Sequence, residues 1–394
     1  MSSSLRKSPL RHLVWILPLL ALDFTLFRWL ALRSGGCAML PPAAPLAVSV
    51  VEEVVPEEPP PPPPPVWQRM VTPTPQQNLL NPDTPGVLQP TGSGRLISAK
   101  FGSTRTVSRK GHLRASFHEG VDIAATERDR KGEALDAIFA VAEGRVAFVN
   151  SSGGSSTYGK YVVLEHPDPT LGEIPQRDGT VKIASAYTLY AHMADIRFGI
   201  RRGQTVSPGD ILGTMGHSSS TRPPIPRSRS HLHWEIGLLL NSRFERKSRE
   251  EKMIPDFGNY NGQNLFGIDP LDFFAHQSSD PGLTMGSYLA QLPPACEVIL
   301  RGKTPNFFKR YPALWEGEPH EDGPLLLALS ESGIPISGRN ANAAEIKKLG
   351  NQRQAVFRVF SDVLGRNGRG YLTRSQGRWK FSAKGLRWSE ILFY

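Results

Sequence analysis

In Ser230-His231-Leu232-His233-Trp234-Glu235-Ile236, polar and apolar side chains alternate strictly from His231 onward. A period of two predicts a half-buried β-strand, with Leu232, Trp234 and Ile236 on its apolar face. Because residues i and i+2 of a strand project from the same face, the imidazoles of His231 and His233 point the same way. Two neighbouring imidazoles form an edge that suits a metal ion.

Two upstream segments carry further candidate residues. His118 and Asp122 lie four residues apart in Phe117-His118-Glu119-Gly120-Val121-Asp122-Ile123-Ala124, a spacing that places both on one face of a strand or of a helix. The β-branched residues and the glycine favour the extended form. A second alternating run ends in Leu189-Tyr190-Ala191-His192, and its period predicts that Tyr190 and His192 share one face.

In chain order, these H-x-x-x-D, Tyr-x-His and H-x-H motifs resemble those of the lysostaphin-type zinc endopeptidases, also called LytM-domain proteins, which cut peptide cross-links in bacterial peptidoglycan. The resemblance covers roughly residues 96 to 240. It includes Phe101-Gly102-Ser103, Ala142-Glu143-Gly144-Arg145-Val146, Tyr158-Gly159-Lys160-Tyr161-Val162 and Gly203-Gln204-Thr205-Val206-Ser207-Pro208-Gly209-Asp210. The resemblance implies a mainly β fold, the LytM/lysostaphin-type β domain with its duplicated hybrid motif-like architecture.

The resemblance also implies a role for each motif residue. His118, Asp122 and His233 would be the ligands of one Zn²⁺, and His192 and His231 would be catalytic without binding the metal. Three protein ligands are typical of a catalytic zinc, which keeps its fourth position for water. The sequence contains no H-E-x-x-H motif, so the glutamate base of that protease class is not available here. Glu235 is either a carboxylate that supports a ligand or an exposed strand residue.

Length, charge and the N-terminal sequence together predict an exported protein of several parts. The chain has 394 residues, a net charge of +10 and a pI near 9.7, which suits anionic partners such as cell-wall polymers. Arg6, Lys7 and Arg11 precede an apolar run over residues 13–22, which continues to residue 32 with Asp23 and Arg28 within it, so both a cleaved export signal and a membrane anchor stay open. We therefore predict a signal peptide or anchor at 1–36, a proline-rich linker at 37–95, the zinc peptidase domain at 96–277 and a small basic α+β region at 278–394.

Three segments fall outside the motifs. Residues 217–230 form an insertion before the H-x-H strand whose Arg222, Arg227 and Arg229 either attract substrate carboxylates or belong to a solvated excursion. Residues 241–267 form a second, charged insertion. In the C-terminal region the spacing of Val356, Val359, Phe360 and Val363 predicts a helix within 341–364. The basic and aromatic residues that follow suit either a small core with a solvated face or contact with cell-wall glycans.

The sequence therefore predicts an exported, periplasmic or cell-envelope zinc metalloendopeptidase that hydrolyses cross-links or stem peptides of peptidoglycan. The alternative is a catalytically silent LytM domain that activates another cell-wall hydrolase. A third interpretation is a wall- or membrane-linked scaffold that acts through its basic C-terminal region. Peptidoglycan peptides are the expected partners, membrane anchoring through the N-terminus stays open, and nucleic acid is not expected.

Overall fold

A computed structural model describes residues 65–109, 112–365 and 369–394, without the side chains of Ser103 and of residues 105–115. The predicted signal peptide or anchor, Cys37 and the first part of the predicted linker lie outside the described residues. Cys296 is buried and forms no disulfide with any residue that the structure describes. Within the described ranges, no helix is both long enough and apolar enough to cross a bilayer.

Short antiparallel strands build the first part of the described chain, as its glycine-punctuated sequence predicts. In chain order these are β1 (Gly102–Arg109), β2 (His112–His118), β3 (Val121–Ala124), β4 (Ala137–Phe139), β5 (Gly144–Asn150), β6 (Lys160–Pro167), β7 (Glu173–Pro175), β8 (Val181–Ile183), β9 (Ser185–Met193), β10 (Asp195–Ile196), β11 (Thr205–Val206), β12 (Ile211–Thr214), β13 (His231–Leu239) and β14 (Leu265–Ile268). The mainly β prediction is confirmed for this part of the chain.

The main sheet has seven strands in the order β11-β5-β6-β9-β13-β14, with β3 paired to the first half of β13. Strands β9 and β13 are buried along their whole length rather than half-buried. Trp234 and Tyr190 enter the large core, while Leu189 and Ala191 pack in a smaller cluster on the opposite face. The second face is covered because aromatic residues of the 241–267 insertion, among them Phe257, pack against this smaller cluster.

Residues 65–95, here called the N-terminal strap, differ from the linker prediction. The side chain of Trp67 is fully buried, and its Nε1 donates to Asp168 Oδ2 over 3.0 Å. Backbone bonds from Gln89 N to Asp122 O and from Ala124 N to Val87 O lay the strap along β3. The prolines set its irregular backbone, but its scattered apolar side chains are buried all the same. The sequence does not predict this burial, because the buried side chains of the strap follow neither a helical nor a strand period.

The second part of the described chain mixes strands and helices. Its strands are β15 (Cys296–Gly302), β16 (Trp315–Glu316), β17 (Gly323–Leu329), β18 (Pro335–Asn340), β19 (Gln354–Val359), β20 (Leu372–Ser375) and β21 (Arg378–Phe381). Five of them form a sheet in the order β16-β18-β17-β15-β19. The α-helices of the described chain are α1 (Phe244–Glu250), α2 (Pro270–Ser279), α3 (Met285–Gln291), α4 (Asn306–Arg310), α5 (Ala343–Leu349), α6 (Ser361–Leu364) and α7 (Ala383–Phe393).

The predicted boundary at residue 277 falls inside α2, and one hydrophobic core extends across it from Trp67 to Leu392. Two buried polar contacts join the regions: Leu239 N donates to the hydroxyl of Tyr311 over 3.0 Å, and Asn241 Nδ2 donates to Ile391 O over 2.6 Å. Removing residues after 278 would expose this core to water. The C-terminal region is therefore part of the body that holds the main sheet.

The helix predicted within 341–364 is wrong for its middle part. Residues 354–359 form β19, which pairs with β15, while two short helices flank it. Val356 and Val359 pack on the large core, and Ala355 and Phe357 pack on a small cluster on the other face. A strand with apolar side chains on both faces shows no two-residue alternation. The spacing of its valines and Phe360 therefore matched a helical period by coincidence.

Candidate metal centre

Strand register brings the H-x-H motif to the H-x-x-x-D motif. β13 pairs with β3 so that His233 lies directly opposite Asp122. His118 ends β2 and reaches the same point across the turn at Glu119-Gly120. A Cβ on Gly120 would lie 2.2 Å from Trp234 O, so only glycine allows the turn to approach β13 this closely. His118 and Asp122 thus meet across a turn between two strands, and not on one continuous strand face.

Three donor atoms converge at this point. His118 Nε2 lies 3.0 Å from His233 Nδ1, and Asp122 Oδ1 lies 3.1 Å from the first and 3.0 Å from the second. In a tetrahedral zinc site with bonds of about 2.0–2.1 Å, two ligand atoms are about 3.3 Å apart. All three side chains are buried, and among the residues searched they form a group suited to a metal ion. Two imidazoles and one carboxylate in this geometry fit a divalent cation of the zinc type.

The far nitrogen of each candidate histidine ligand is anchored. His118 Nδ1 donates to Lys100 O over 2.9 Å, which leaves Nε2 free of its proton for a metal. His233 Nε2 lies 2.8 Å from Glu235 Oε1, which leaves Nδ1 for the same purpose. Outer contacts of this kind fix the tautomer and the ring orientation of a metal ligand.

Glu235 is a buried supporting carboxylate and not an exposed strand residue. Its oxygens accept hydrogen bonds from the hydroxyls of Tyr158, at 2.8 Å, and Tyr187, at 2.9 Å. Burial alone would raise the pKa of Glu235, but hydrogen bonds from His233 and the two tyrosines outweigh it and lower the pKa. The carboxylate therefore stays charged beneath His233. The sequence alone does not indicate Tyr158 and Tyr187 as partners, since their convergence depends on the pairing of distant strands.

His192 reaches the site through an unusual backbone conformation. Its φ of +60° lies in the left-handed region, which non-glycine residues seldom adopt. The ring consequently faces those of His231, at 4.8 Å between centroids, and His233, at 5.8 Å. The predicted common face of Tyr190 and His192 is thus wrong. Tyr190 is buried in the large core, where its hydroxyl accepts a hydrogen bond from Val141 N.

Both non-ligand histidines present the same ring atom to the site. Nδ1 of His192 donates to Ser218 O over 2.8 Å, and Nδ1 of His231 donates to Arg229 O over 2.7 Å. Nε2 of each ring therefore carries the lone pair, and Nε2 of His231 lies 3.6 Å from Asp122 Oδ1. Burial and the neighbouring His231 and His233 hold the pKa of His192 well below its usual range. His192 is accordingly neutral, with the lone pair on Nε2 facing the site.

The site opens into a groove of about 1230 Å³. Residues of both insertions line it, including Pro223 and Arg229 from 217–230 and Phe257 and Gln263 from 241–267. The arginines of the first insertion differ in their surroundings. Arg227 pairs with Glu133 over 2.7 Å, whereas Arg229 lines the groove and its buried Nε has no hydrogen-bond partner in the described part of the chain. Arg222 is exposed and is not among the residues that line the groove.

The histidines without a predicted role lie in other settings. His166 is buried between Glu143 O and the hydroxyl of Thr188. His217 pairs with Glu133 over 3.3 Å, and His276 is half-exposed on α2. In contrast to these three histidines, the five motif residues lie together at one site. Their arrangement can hold a cation and place two proton-transfer groups beside it.

Comparison with known families agrees with this geometry. Residues 116–243 match the model of peptidase family M23, which confirms the resemblance to LytM and lysostaphin-type peptidases drawn from the motifs. The matched segment begins just before His118 and ends just after β13. It therefore contains all five residues of the site. No curated protein sequence matches the chain significantly.

Several solved structures are similar in fold over part of the chain. A zinc-containing peptidase from Vibrio cholerae is 20% identical over 38% of this chain and 36% of its own, with a TM-score of 0.24. The catalytic domain of lysostaphin from Staphylococcus simulans is 16% identical over 44% of this chain and 87% of its own, with a TM-score of 0.24. A variant catalytic domain of the prophage-encoded M23 protein EnpA from Enterococcus faecalis is 25% identical over 38% and 86%, with a TM-score of 0.22. The chain thus spans little more than a third of the Vibrio cholerae peptidase.

Proposed function

We propose that the chain is an exported zinc metalloendopeptidase that hydrolyses peptide cross-links or stem peptides of bacterial peptidoglycan. The observation that carries the proposal is the convergence of His118 Nε2, Asp122 Oδ1 and His233 Nδ1 to about 3 Å of one another. They lie beside two further histidines in a segment that matches a peptidase family. The intact set also argues against the silent-activator alternative, in which ligands or catalytic histidines are lost.

The residues of the site would have different roles in peptide hydrolysis: metal binding, proton transfer and orientation of a ligand. Zinc held by His118, Asp122 and His233 would act as a Lewis acid on the scissile carbonyl and lower the pKa of water. Nε2 of His192 and Nε2 of His231 carry lone pairs at the same groove, so either can take the proton of the attacking water. The imidazolium that forms can then donate to the tetrahedral oxyanion and to the leaving amine. Glu235 keeps His233 oriented throughout.

Digestion of purified peptidoglycan tests the proposal directly. We expect the zinc-loaded protein that contains residues 65–394 to release soluble peptides with new amino termini, because the site is built for amide hydrolysis. The N-terminal strap and the C-terminal region share one core with the site, so the fragment retains both. Mass spectrometry of the released material identifies the cleaved bond. Release of glycan fragments alone, with no new amino terminus, would contradict the proposal.

Among the arginines of the first insertion, Arg229 is the one expected to contact substrate. We expect Arg229→Ser to raise KM for wall peptides about three- to tenfold, because this cation lines the groove with its Nε unpaired. Arg227→Ser is the matched control, since Arg227 is bound to Glu133 and should change KM little. Steady-state kinetics at two salt concentrations separates the variants, because screening weakens an exposed ionic contact. Equal KM values for the two variants would remove Arg229 from substrate binding.

Export rests on the N-terminal sequence and on the proposed substrate. A basic start followed by an apolar run is typical of an export signal, and a peptidoglycan substrate requires the enzyme to work outside the cytoplasm. We expect an alkaline phosphatase reporter fused after residue 64 to be active, since that enzyme acquires its disulfides only in an oxidising compartment. The same fusion without residues 1–36 should be inactive. Equal activity of both fusions would contradict export.

A further inference from the structure

A second cavity adjoins the groove of the metal centre. It has a volume of about 550 Å³ and lies between β2, the second insertion and α7. Glu119, Gly262 and Gln263 line both the cavity and the groove, so the two spaces adjoin at these residues. A peptide that occupies the groove can therefore extend into the cavity. The far wall of this cavity comes from the C-terminal region, which the family model does not cover.

We propose that this cavity is a carboxylate-binding subsite for the part of the peptide substrate that lies away from the scissile bond. The inference rests on the proposed function for the presence of a peptide in the groove. Its chemistry comes from the cavity itself, which combines an aromatic floor with cationic side chains. Phe117, Phe266 and Trp388 supply apolar surface, and Arg369 and Lys384 supply positive charge.

Arg369 is the fixed cation of the cavity. Its side chain is nine-tenths buried, and its guanidinium carbon lies 4.4 Å from the ring centroid of Phe266. Nη1 donates to the hydroxyl of Tyr371 over 2.6 Å, and Nη2 lies 3.3 Å from Glu119 Oε1. Nε is buried and has no hydrogen-bond partner among the residues that the structure describes. A buried donor without a partner is uncommon in folded proteins, and an oxygen of a bound ligand would satisfy it.

Lys384 is the second cation, at the start of α7. It is exposed and makes no ion pair with any residue that the structure describes. The backbone N–H groups of the first turn of a helix also carry partial positive charge, which favours an anion there. Arg387 faces the cavity as well, but its guanidinium already pairs with Glu251. Arg369 Nη2 is likewise paired with Glu119, so the donors left for a ligand are Lys384, the helix start and Nε of Arg369.

The balance of charge favours a carboxylate over a phosphate. Glu119 stands on the wall beside Arg369, so a ligand with two negative charges would be repelled at close range. A singly charged carboxylate can share the guanidinium, which offers several N–H donors. The aromatic floor accommodates the aliphatic part of an amino-acid residue. An acidic peptide end thus fits both the polar and the apolar surface.

The test compares two forms of one ligand on the full chain. The probe is a disaccharide tetrapeptide from peptidoglycan, used as such and with its carboxylates converted to carboxamides. Isothermal titration calorimetry in the presence of a chelator measures binding without turnover. We expect the wild type to bind the acid form about tenfold more tightly than the amide form, because charge-assisted hydrogen bonds are lost on amidation. Lys384→Glu should remove most of this preference.

Two further variants test whether the preference for the acid form arises in the cavity. Lys380→Glu makes the same charge change on β21, at an exposed lysine that does not line the cavity, and should keep the preference. Arg369→Gln should weaken binding of the acid form, and its melting temperature shows whether the fold is retained. If the two forms bind equally, or if Lys380→Glu and Lys384→Glu lose the preference alike, the subsite is refuted.

Addition of zinc after the titration separates this inference from the proposed function. A preference that depends on Lys384, without cleavage of the peptide, would support the subsite and contradict the peptidase. Cleavage of the peptide without any preference for the acid form would support the peptidase and refute the subsite. Each proposal therefore has a result that overturns it alone.

Discussion

His233→Ala is expected to leave the protein without zinc and without peptidase activity. The wild type should bind about one zinc per chain through three protein ligands, and removal of one leaves a two-ligand site that competes poorly for the metal. The strand itself should survive, since His233 pairs with Asp122 and Ala191 through backbone register. Metal analysis of the purified variant by mass spectrometry measures the loss.

A matched histidine controls for general effects on the protein. His276→Ala removes a half-exposed imidazole on α2, away from the three converging donors. This variant should keep its zinc and its activity. Full zinc content in His233→Ala would refute the ligand assignment. Loss of zinc in both variants would show that the zinc content follows the stability of the protein and not the loss of one ligand.

Replacement of His192 or His231 should produce the second large effect, with the opposite metal result. His192→Ala and His231→Ala are expected to keep zinc and to lose about a hundredfold to ten-thousandfold in kcat, the usual contribution of a proton-transfer group. Their Nε2 atoms face the groove while their Nδ1 atoms are bound to backbone carbonyls. Hydrolysis of a defined wall peptide, measured beside zinc content, gives both quantities.

His192 needs an additional variant because of its backbone. Alanine is strained at φ +60°, whereas asparagine tolerates this region better. His192→Asn should therefore fold normally and still lack activity, which assigns the defect to the missing imidazole. Turnover near that of the wild type in His192→Asn or in His231→Ala would exclude that residue from proton transfer. Loss of zinc in either variant would show that the replaced histidine is a metal ligand and not a proton-transfer group.

Most of the site could be predicted because its signals are local. Alternation around His233 predicted the strand, and the spacing of His118 and Asp122 marked a second candidate element. The approach of these residues depends on strand pairing, which the family resemblance supplied and the register of β3 on β13 now shows. The proton-transfer and ligand roles themselves stay predictions until the variants are measured.

Other features depended on information that a linear pattern does not contain. The sign of φ at His192 turns its ring away from the face that alternation assigned to it. Trp67 of the N-terminal strap is buried against residues far along the chain, and its indole donates to Asp168. The strand β19 lacks alternation since it is covered on both faces. In each case a long-range contact overrode a local preference.

The uninterrupted core from Trp67 to Leu392 has a consequence for how this protein responds to damage. Because α7 and the main sheet bury side chains in the same core, loss of packing at either end destabilises the body that holds the site. A cavity beneath α7 would then lower the melting temperature of the metal centre itself. Inactive variants from random mutagenesis should accordingly map to buried positions throughout this core, far beyond the five residues of the site.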